Sequence, residues 1–205
     1  AGRRWDMDVW VFGSLLGDTI TRALREAVDC PQGAEGCTGF REHLQLVNAE
    51  GLARLFGAEA LGRWRWPRGV RGRLAVSWAW GDAPNTGGLS RDARVPLSRV
   101  PPLQGNLEVD WLPVLPGWNL PALGLALRGS ASQDRLAPSD FADPRIPVGG
   151  TPGFLLVDLR VGWQIDPRFG LNLVLENLLD SRYRVHGSSI DGPGLGLRAA
   201  LALRH

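Results

Sequence analysis

The sequence predicts an all-β fold, an antiparallel β-barrel that crosses a membrane. Three observations support this prediction: strands with one apolar and one polar face, connections that alternate between short and long, and tryptophans near predicted strand ends. Inside a bilayer, only helices and closed barrels satisfy every backbone hydrogen-bonding group. The chain has no apolar run of the roughly 20 residues that a spanning helix needs, which leaves the barrel.

Period-two alternation is clearest in the segment 155–164. Its odd positions hold Leu, Val, Leu, Val and Trp, whereas its even positions are mostly polar or small. Because successive side chains of a strand point to opposite faces, this segment is a strand between two different environments. The same alternation recurs along the chain and predicts eight strands with these approximate bounds: 4–22, 40–66, 70–82, 103–114, 118–131, 152–165, 169–179 and 194–205.

The second predicted strand, 40–66, is too long for one ordinary strand. We therefore expect a bulge or bend near Asn48 to Gly51. The connections that follow alternate in length. Short turns fall at 67–69, 115–117 and 166–168, and long polar segments fall at about 23–39, 83–102, 132–151 and 180–193. Short turns on one rim and long loops on the other are typical of outer-membrane barrels, whose long loops lie outside the cell.

The main alternative is a soluble β-sandwich, whose strands also have one apolar and one polar face. Strand length and aromatic placement favour the membrane. Strands of about 9–13 residues match a tilted bilayer crossing. Four tryptophans lie near predicted strand ends, as an interfacial girdle requires: Trp64, Trp66, Trp80 and Trp118.

Charged residues occupy the polar face of the predicted strands. In a narrow soluble barrel they would not face inward without a large desolvation cost, so we expect them to line a wide, wet lumen or to contact a plug. The lumen-facing candidates are Arg63, Arg73, Glu108, Asp110, Asp158, Arg160, Glu176 and Arg198. Glu108 and Asp110 have no accompanying nucleophile, and the sequence predicts no enzyme.

Cys30 and Cys37 are the two cysteines, and both fall in the first long loop. A metal site would need closer spacing and a second ligand pair, so a disulfide in an oxidising compartment is favoured. The three histidines show no ligand spacing, so neither a metal site nor a cofactor is predicted. The basic residues are scattered, which argues against nucleic-acid binding. In the long loops, arginines such as Arg99 and Arg145 either attract an anionic solute or, as we favour, act as solvated charges.

The segment from Glu176 to Ser188 resembles the penultimate-strand signature of TonB-dependent receptors, in the run Asn177-Leu178-Leu179-Asp180 followed by Tyr183. The family usually has Phe where Leu179 stands. Gly57 and Glu59 resemble the family's Gly-x-Glu strand, and the Asp191 to Gly194 segment resembles its lead into the last strand. These matches follow the family's order along nearly the whole chain.

The resemblance implies that residues 1–205 are a partial barrel domain, the C-terminal strands of a barrel of about 22 strands. Plug domain and signal peptide are then absent from this chain. The implied activity is uptake of a scarce solute, such as a siderophore, cobalamin, haem or a glycan, across the outer membrane of a Gram-negative cell. The implied partners are outer-membrane lipid, the TonB complex through the missing plug segment, and the outer-membrane assembly machinery.

Two other functions stay open from the sequence. One is a passive channel or a small structural barrel, and the other is a soluble β-sandwich binding module. The last residue, His205, stands where such barrels usually have an aromatic residue, so we expect an altered assembly signal.

Overall fold

The computed structural model describes residues 4–25, 43–85 and 93–204. These residues form antiparallel strands and two short 3-10 turns, Pro67–Gly69 and Pro138–Ala142. The strands are β1 (Trp5–Gly17), β2 (Ile20–Arg25), β3 (His43–Asn48), β4 (Leu52–Arg65), β5 (Val70–Pro84), β6 (Arg94–Pro96), β7 (Gln104–Trp111), β8 (Ala122–Ser130), β9 (Phe154–Gln164), β10 (Phe169–Glu176) and β11 (Gly196–Leu203). None of the described segments forms a helix with the length and apolar character needed to cross a bilayer.

The main sheet runs in the order β1-β4-β5-β7-β8-β9-β10-β11, and β6 pairs with the end of β5. Every pairing is antiparallel, and sequential neighbours lie side by side except where β2, β3 and β6 intervene. Within the described ranges the sheet does not close, because β1 pairs only with β4 and β11 only with β10. The predicted antiparallel fold is confirmed.

All eight predicted strands are present, and the predicted break near residues 48–51 is confirmed. Residues 40–66 contain β3 and β4, and residues 4–22 contain β1 and the first half of β2. The backbone bends at the same height of the sheet between β1 and β2 and between β3 and β4. Asp18 has a φ of 50° at the first bend, and Gly51 has a φ of 100° at the second. The amide of Ala49 still donates to the carbonyl of Thr19 across the bend, at 2.8 Å. Strand β6 was not predicted, since three residues are too short to show alternation.

The apolar face of the sheet is continuous from one edge to the other. One cross-strand row passes through all eight strands of the main path and contains only apolar residues and one glycine: Trp5, Trp64, Gly72, Val109, Leu125, Leu159, Leu175 and Leu197. Leu159 is 39% exposed, and Leu201 on the edge strand is 73% exposed. The sandwich alternative requires these side chains to be packed in a dry core. They face outward instead, as the barrel prediction requires.

Tryptophans gather at the rim with the short turns. Trp5 and Trp64 are cross-strand partners, and the Trp64 ring meets the Trp66 ring edge-on, with centroids 5.7 Å apart. Trp118, in the turn between β7 and β8, is 72% exposed. Trp80 lies toward the opposite rim, where the Arg135 guanidinium sits 4.3 Å from the centre of its ring. Aromatic residues at both ends of the strands match the positions of interfacial girdles.

The two rims differ as the alternating connections predict. The turns β4–β5, β7–β8 and β9–β10 lie at one rim, and the longer connections lie at the other. Cys30 and Cys37, the pair for which a disulfide is predicted, lie outside the described residues, as does His205. The disulfide and the altered assembly signal therefore stay predictions.

Candidate functional site on the polar face and in the signature loop

The polar face of the sheet brings the predicted lumen-facing residues together. Antiparallel pairing places four of them along one cross-strand row, Arg63, Arg73, Glu108 and Asp158, with Ala126 between the last two. A second row contains Arg71, Asp110, Gly124, Arg160, Val174 and Arg198 in this order. Glu176, the eighth candidate, lies two residues after Val174 on β10 and forms an ion pair with Arg198. All eight candidates thus share one face, opposite the apolar row.

Arg160 is the centre of an ion-pair network on this face. Its guanidinium donates to Glu108 at 3.3 Å and to Asp110 at 3.2 Å, although both carboxylates belong to β7, two strands away. The intervening strand β8 has Gly124 at this point, and a Cβ there would lie 2.6 Å from the Asp110 Oδ1 atom. The missing side chain therefore allows the ion pair to pass over β8.

Other carboxylates on this face bind arginines of neighbouring strands. Arg63 contacts Asp6 at 2.7 Å and Asp8 at 3.3 Å, and Arg128 lies 3.8 Å from Asp158. Exposed ion pairs of this kind contribute little to stability each. Their position matters more, because they keep a charged, hydrated surface opposite the apolar face.

The signature residue Asn177 holds the last long loop closed. Its side chain is buried, with 2% of the residue exposed, and it forms three hydrogen bonds to the backbone of that loop. The Nδ2 group donates to the carbonyls of Ser181 and Pro193 at 2.9 and 3.1 Å, and Oδ1 accepts from the Ser181 amide at 3.0 Å. The backbone amide of Asn177 itself donates to Asp158 Oδ1 at 2.8 Å. Asn177 has a φ of 51°, a left-handed conformation that Asn tolerates better than most residues.

Asp180 and Tyr183 complete the signature by holding the chain that leads into β11. The Oδ1 atom of Asp180 accepts from the Leu195 amide at 2.8 Å. The Tyr183 carbonyl accepts from the Gly192 amide at 2.8 Å, and the Tyr183 ring lies over that glycine, where a Cβ would overlap it. The same ring packs against Phe154 with centroids 5.0 Å apart. These contacts give the Asp191 to Gly194 segment a physical role, because only glycine at position 192 leaves room for the tyrosine ring.

Leu178 and Leu179 continue the signature toward the rim. The amide of Leu178 donates to the Val157 carbonyl at 2.8 Å, which extends the contact between β9 and β10 by one bond. Leu179 stands where the family usually has Phe, and it is 58% exposed. Because the surroundings of this side chain are open, leucine replaces the larger ring here without leaving a cavity.

Gly57 and Glu59, the other signature pair, lie on the polar face of β4. Gly57 faces Phe12 across β1, and Glu59 faces Trp10. Glu59 also lines a cavity of about 500 Å³ between the polar face and the last loop. Further lining residues include Trp10, Arg73, Arg128, Phe154 and Tyr183. Aromatic rings and charged groups in one open cavity suit contact with a polar protein segment or a solute.

Replacing Gly57 tests this close packing. We expect Gly57→Ala to destabilise the folded barrel by about 1–3 kcal/mol, because overpacking forces neighbouring atoms to shift. The added Cβ would overlap the Phe12 ring and lie 2.7 Å from the carbonyl oxygen of Trp78. Gly62→Ala, on the same strand, is the matched control, since its Cβ would come no closer than 3.9 Å to Trp64. Equal denaturant midpoints for the two variants in lipid vesicles would contradict the prediction.

Several arginines in and beside the described parts of the long loops form ion pairs within the protein. Arg99 and Arg145 both contact the Asp143 carboxylate, at 2.9 and 2.8 Å. Arg94 and Arg54 both contact the buried Asp82, at 2.5 and 2.7 Å. These pairings support the interpretation of loop arginines as structural charges rather than as a site for an anionic solute.

The loops also contact one another. Thr151 Oγ1 lies 2.9 Å from His186 Nδ1, and Ser98 hydrogen-bonds the buried Asp140. Desolvation lowers the pKa of His186, although Asp140 and Asp143 act in the opposite direction. Within the described segments, no group of three metal-ligating side chains converges. The ion pairs of Asp82 with Arg54 and Arg94, and the loop-closing roles of Asn177 and Asp180, could not be predicted from the sequence. The bonded residues lie 12 to 28 positions apart along the chain in the pairs Arg94–Asp82, Asn177–Pro193 and Arg54–Asp82.

Comparisons with known proteins agree with this geometry. A family model described as "TonB dependent receptor-like, beta-barrel" matches residues 7–178. A search of curated proteins found no match. Among solved structures, the chain is similar to the copper transporter OprC, at 17% identity and a TM-score of 0.69, over 99% of this chain and 29% of that chain.

Two further structures show the same fold. The ferric-catecholate import receptor Fiu from K12 E. coli is 14% identical, with a TM-score of 0.63 over 97% of this chain and 25% of its own. The FrpB iron transporter from Neisseria meningitidis is 17% identical, with a TM-score of 0.64 over 98% of this chain and 29% of its own. At these identities the likeness shows the fold alone. The chain spans less than a third of the length of each of these structures.

Proposed function

Because the chain belongs to the TonB-dependent receptor family, as part of its β-barrel, we propose that it forms the C-terminal wall of a receptor that imports a scarce solute across a Gram-negative outer membrane. The observation that carries the proposal is the two-faced sheet. An unbroken apolar row crosses all eight strands of the main path, and an ion-paired polar face lies behind it.

In the proposed receptor, the apolar face contacts outer-membrane lipid, and the polar face lines the barrel interior. The long loops lie outside the cell and take part in capturing the solute. Energy arrives from TonB through a plug segment that these residues do not include, and the outer-membrane assembly machinery inserts the barrel. The chain's part is structural and binding, and we assign it no catalytic step.

The solute belongs to the classes that this family imports: a ferric siderophore, cobalamin, haem or a glycan. The names of the similar structures, a copper transporter and two iron-import proteins, support a metal or metal complex as the first candidates to test. Those names describe the other proteins, and the uptake assay below identifies the solute of this chain.

An uptake assay tests the proposal. The complete receptor is expressed in a Gram-negative host without its own iron receptors, and uptake of a panel of labelled ferric siderophores, copper, haem and cobalamin is measured. We expect uptake of at least one solute, and its loss when the host lacks TonB. A passive channel would instead admit small solutes equally well with and without TonB, and that result would contradict the proposal.

A further inference from the structure

Five arginines line one pocket at the end of the polar face nearest the short turns, where β1, β4 and β5 meet. We call this the arginine pocket. It has a volume of about 280 Å³, and the only acidic residue in its lining is Asp6. Its arginines are Arg4, Arg63, Arg65, Arg71 and Arg73. Four of these arginines come from the single hairpin of β4 and β5, within residues 63–73, and Arg4 immediately precedes β1.

The antiparallel register places four of these arginines directly opposite one another. Arg63 faces Arg73, and Arg65 faces Arg71, across the β4–β5 pair. Like charges in directly opposed positions of a sheet are destabilising. Two such pairs stand in sequence here, two residues apart on each strand, so the sheet bears a concentrated positive charge at this point.

Carboxylates of the sheet neutralise this charge only in part. Asp6 and Asp8 both bind Arg63. Glu108 and Asp110 are the cross-strand neighbours of Arg73 and Arg71, but their carboxylates hydrogen-bond Arg160 instead. Across residues 4–25, 43–85 and 93–204, four of these arginines form no ion pair with any carboxylate: Arg4, Arg65, Arg71 and Arg73.

We propose that the arginine pocket binds the carboxylates of an extended acidic segment of the same polypeptide, the plug segment that occupies the barrel interior. This inference rests on the proposed function. Guanidinium groups bind carboxylates in a bidentate fork, and they keep their charge at any physiological pH. The pocket therefore selects acidic side chains over neutral polar ones.

The spacing of the pocket indicates the conformation of its partner. The two opposed arginine pairs are separated by two residues of extended strand, about 6.6–6.8 Å. Acidic residues at alternate positions of an extended segment have the same repeat.

Zero-length cross-linking of the complete receptor tests the inference. Residues 1–205 contain no lysine, so Arg71→Lys or Arg65→Lys introduces a single new amine into the barrel wall. A carbodiimide joins an amine to a contacting carboxylate as an amide, and it takes up the water and leaves as a urea. We expect mass spectrometry to find the introduced amine joined to an Asp or Glu of the same polypeptide outside residues 1–205. Arg198→Lys is the positive control, since it should couple to its ion-pair partner Glu176.

Three results would overturn the inference while the control couples: no cross-link from either pocket variant, coupling only to Asp6 or Asp110, or coupling to a different polypeptide. The uptake assay separates this failure from failure of the proposed function. If the receptor transports in a TonB-dependent way but shows no such cross-link, only the proposed plug contact is contradicted. If transport does not depend on TonB, the proposed function is contradicted as well.

Discussion

Replacing Asn177 by alanine is expected to lower the unfolding free energy of the barrel by about 1.5–4.5 kcal/mol, because three side-chain hydrogen bonds are lost. The substitution removes every side-chain bond that Asn177 makes, and it leaves the amide and carbonyl of Ser181 and the carbonyl of Pro193 without these partners. Each hydrogen bond contributes a net of about 0.5–1.5 kcal/mol, since the partner residue Ser181 is half-buried and Pro193 is exposed. The loop between β10 and β11 should open, and the edge strand β11 should lose its fixed entry.

Two variants separate the hydrogen bonds from the backbone conformation. Asn177→Gly accommodates the φ of 51° without strain but also lacks the side chain, so it should be nearly as unstable as Asn177→Ala. Asn172→Ala, on the polar face of β10, is the control and should change stability little. The measurement is the guanidinium midpoint of the complete receptor in detergent, supported by the temperature at which its heat-modifiable gel band converts. Wild-type stability of Asn177→Gly would show that the hydrogen bonds do not hold the loop.

Introducing arginine at Leu159 should destabilise the barrel in lipid by about 2–4 kcal/mol, because a charged side chain at the bilayer midplane loses its hydration. Leu159 lies at the middle of β9, on the apolar face, between Leu125 and Leu175. On a soluble protein the same change at a 39% exposed leucine would stay within about 0.5 kcal/mol. The larger loss of stability therefore indicates that Leu159 contacts lipid, and the smaller change indicates that it contacts water.

Leu203→Arg is the matched control for Leu159→Arg. Leu203 shares the apolar face but pairs with Phe169 at the short-turn rim, where the cost of arginine falls to about 0–1 kcal/mol. Refolding of each variant into vesicles across a denaturant series gives both values. Equal small effects at the two positions would mean that the apolar face does not contact acyl chains.

Features with a short repeat could be predicted from the sequence. Alternation in segments such as 155–164 fixes which residues share a face, because side-chain direction in a strand depends only on the parity of the position. The break near Gly51 also has a local cause, a residue that adopts positive φ without strain. For this reason the eight strands, their apolar face and the set of charges on the opposite face followed from single segments.

The partners of those charges depended on the tertiary structure. Parity puts Arg160 on the polar face, but only the register of three strands brings it to Glu108 and Asp110 over the bare Cα of Gly124. Arg65 differs in this respect, because its opposition to Arg71 follows from the short turn between β4 and β5. The signature residues could be recognised by their order along the chain. Their hydrogen bonds, from Asn177 to Pro193 and from Leu195 to Asp180, could not be predicted in this way.

By itself the sequence determined the strands, their two faces and the alternation of short and long connections, since each depends on neighbours along the chain. Tertiary structure decided which charges form ion pairs and which groups the signature residues bind. Those outcomes depend on strand register, which is a relation between segments far apart in sequence, and a single residue of slip would exchange the two faces.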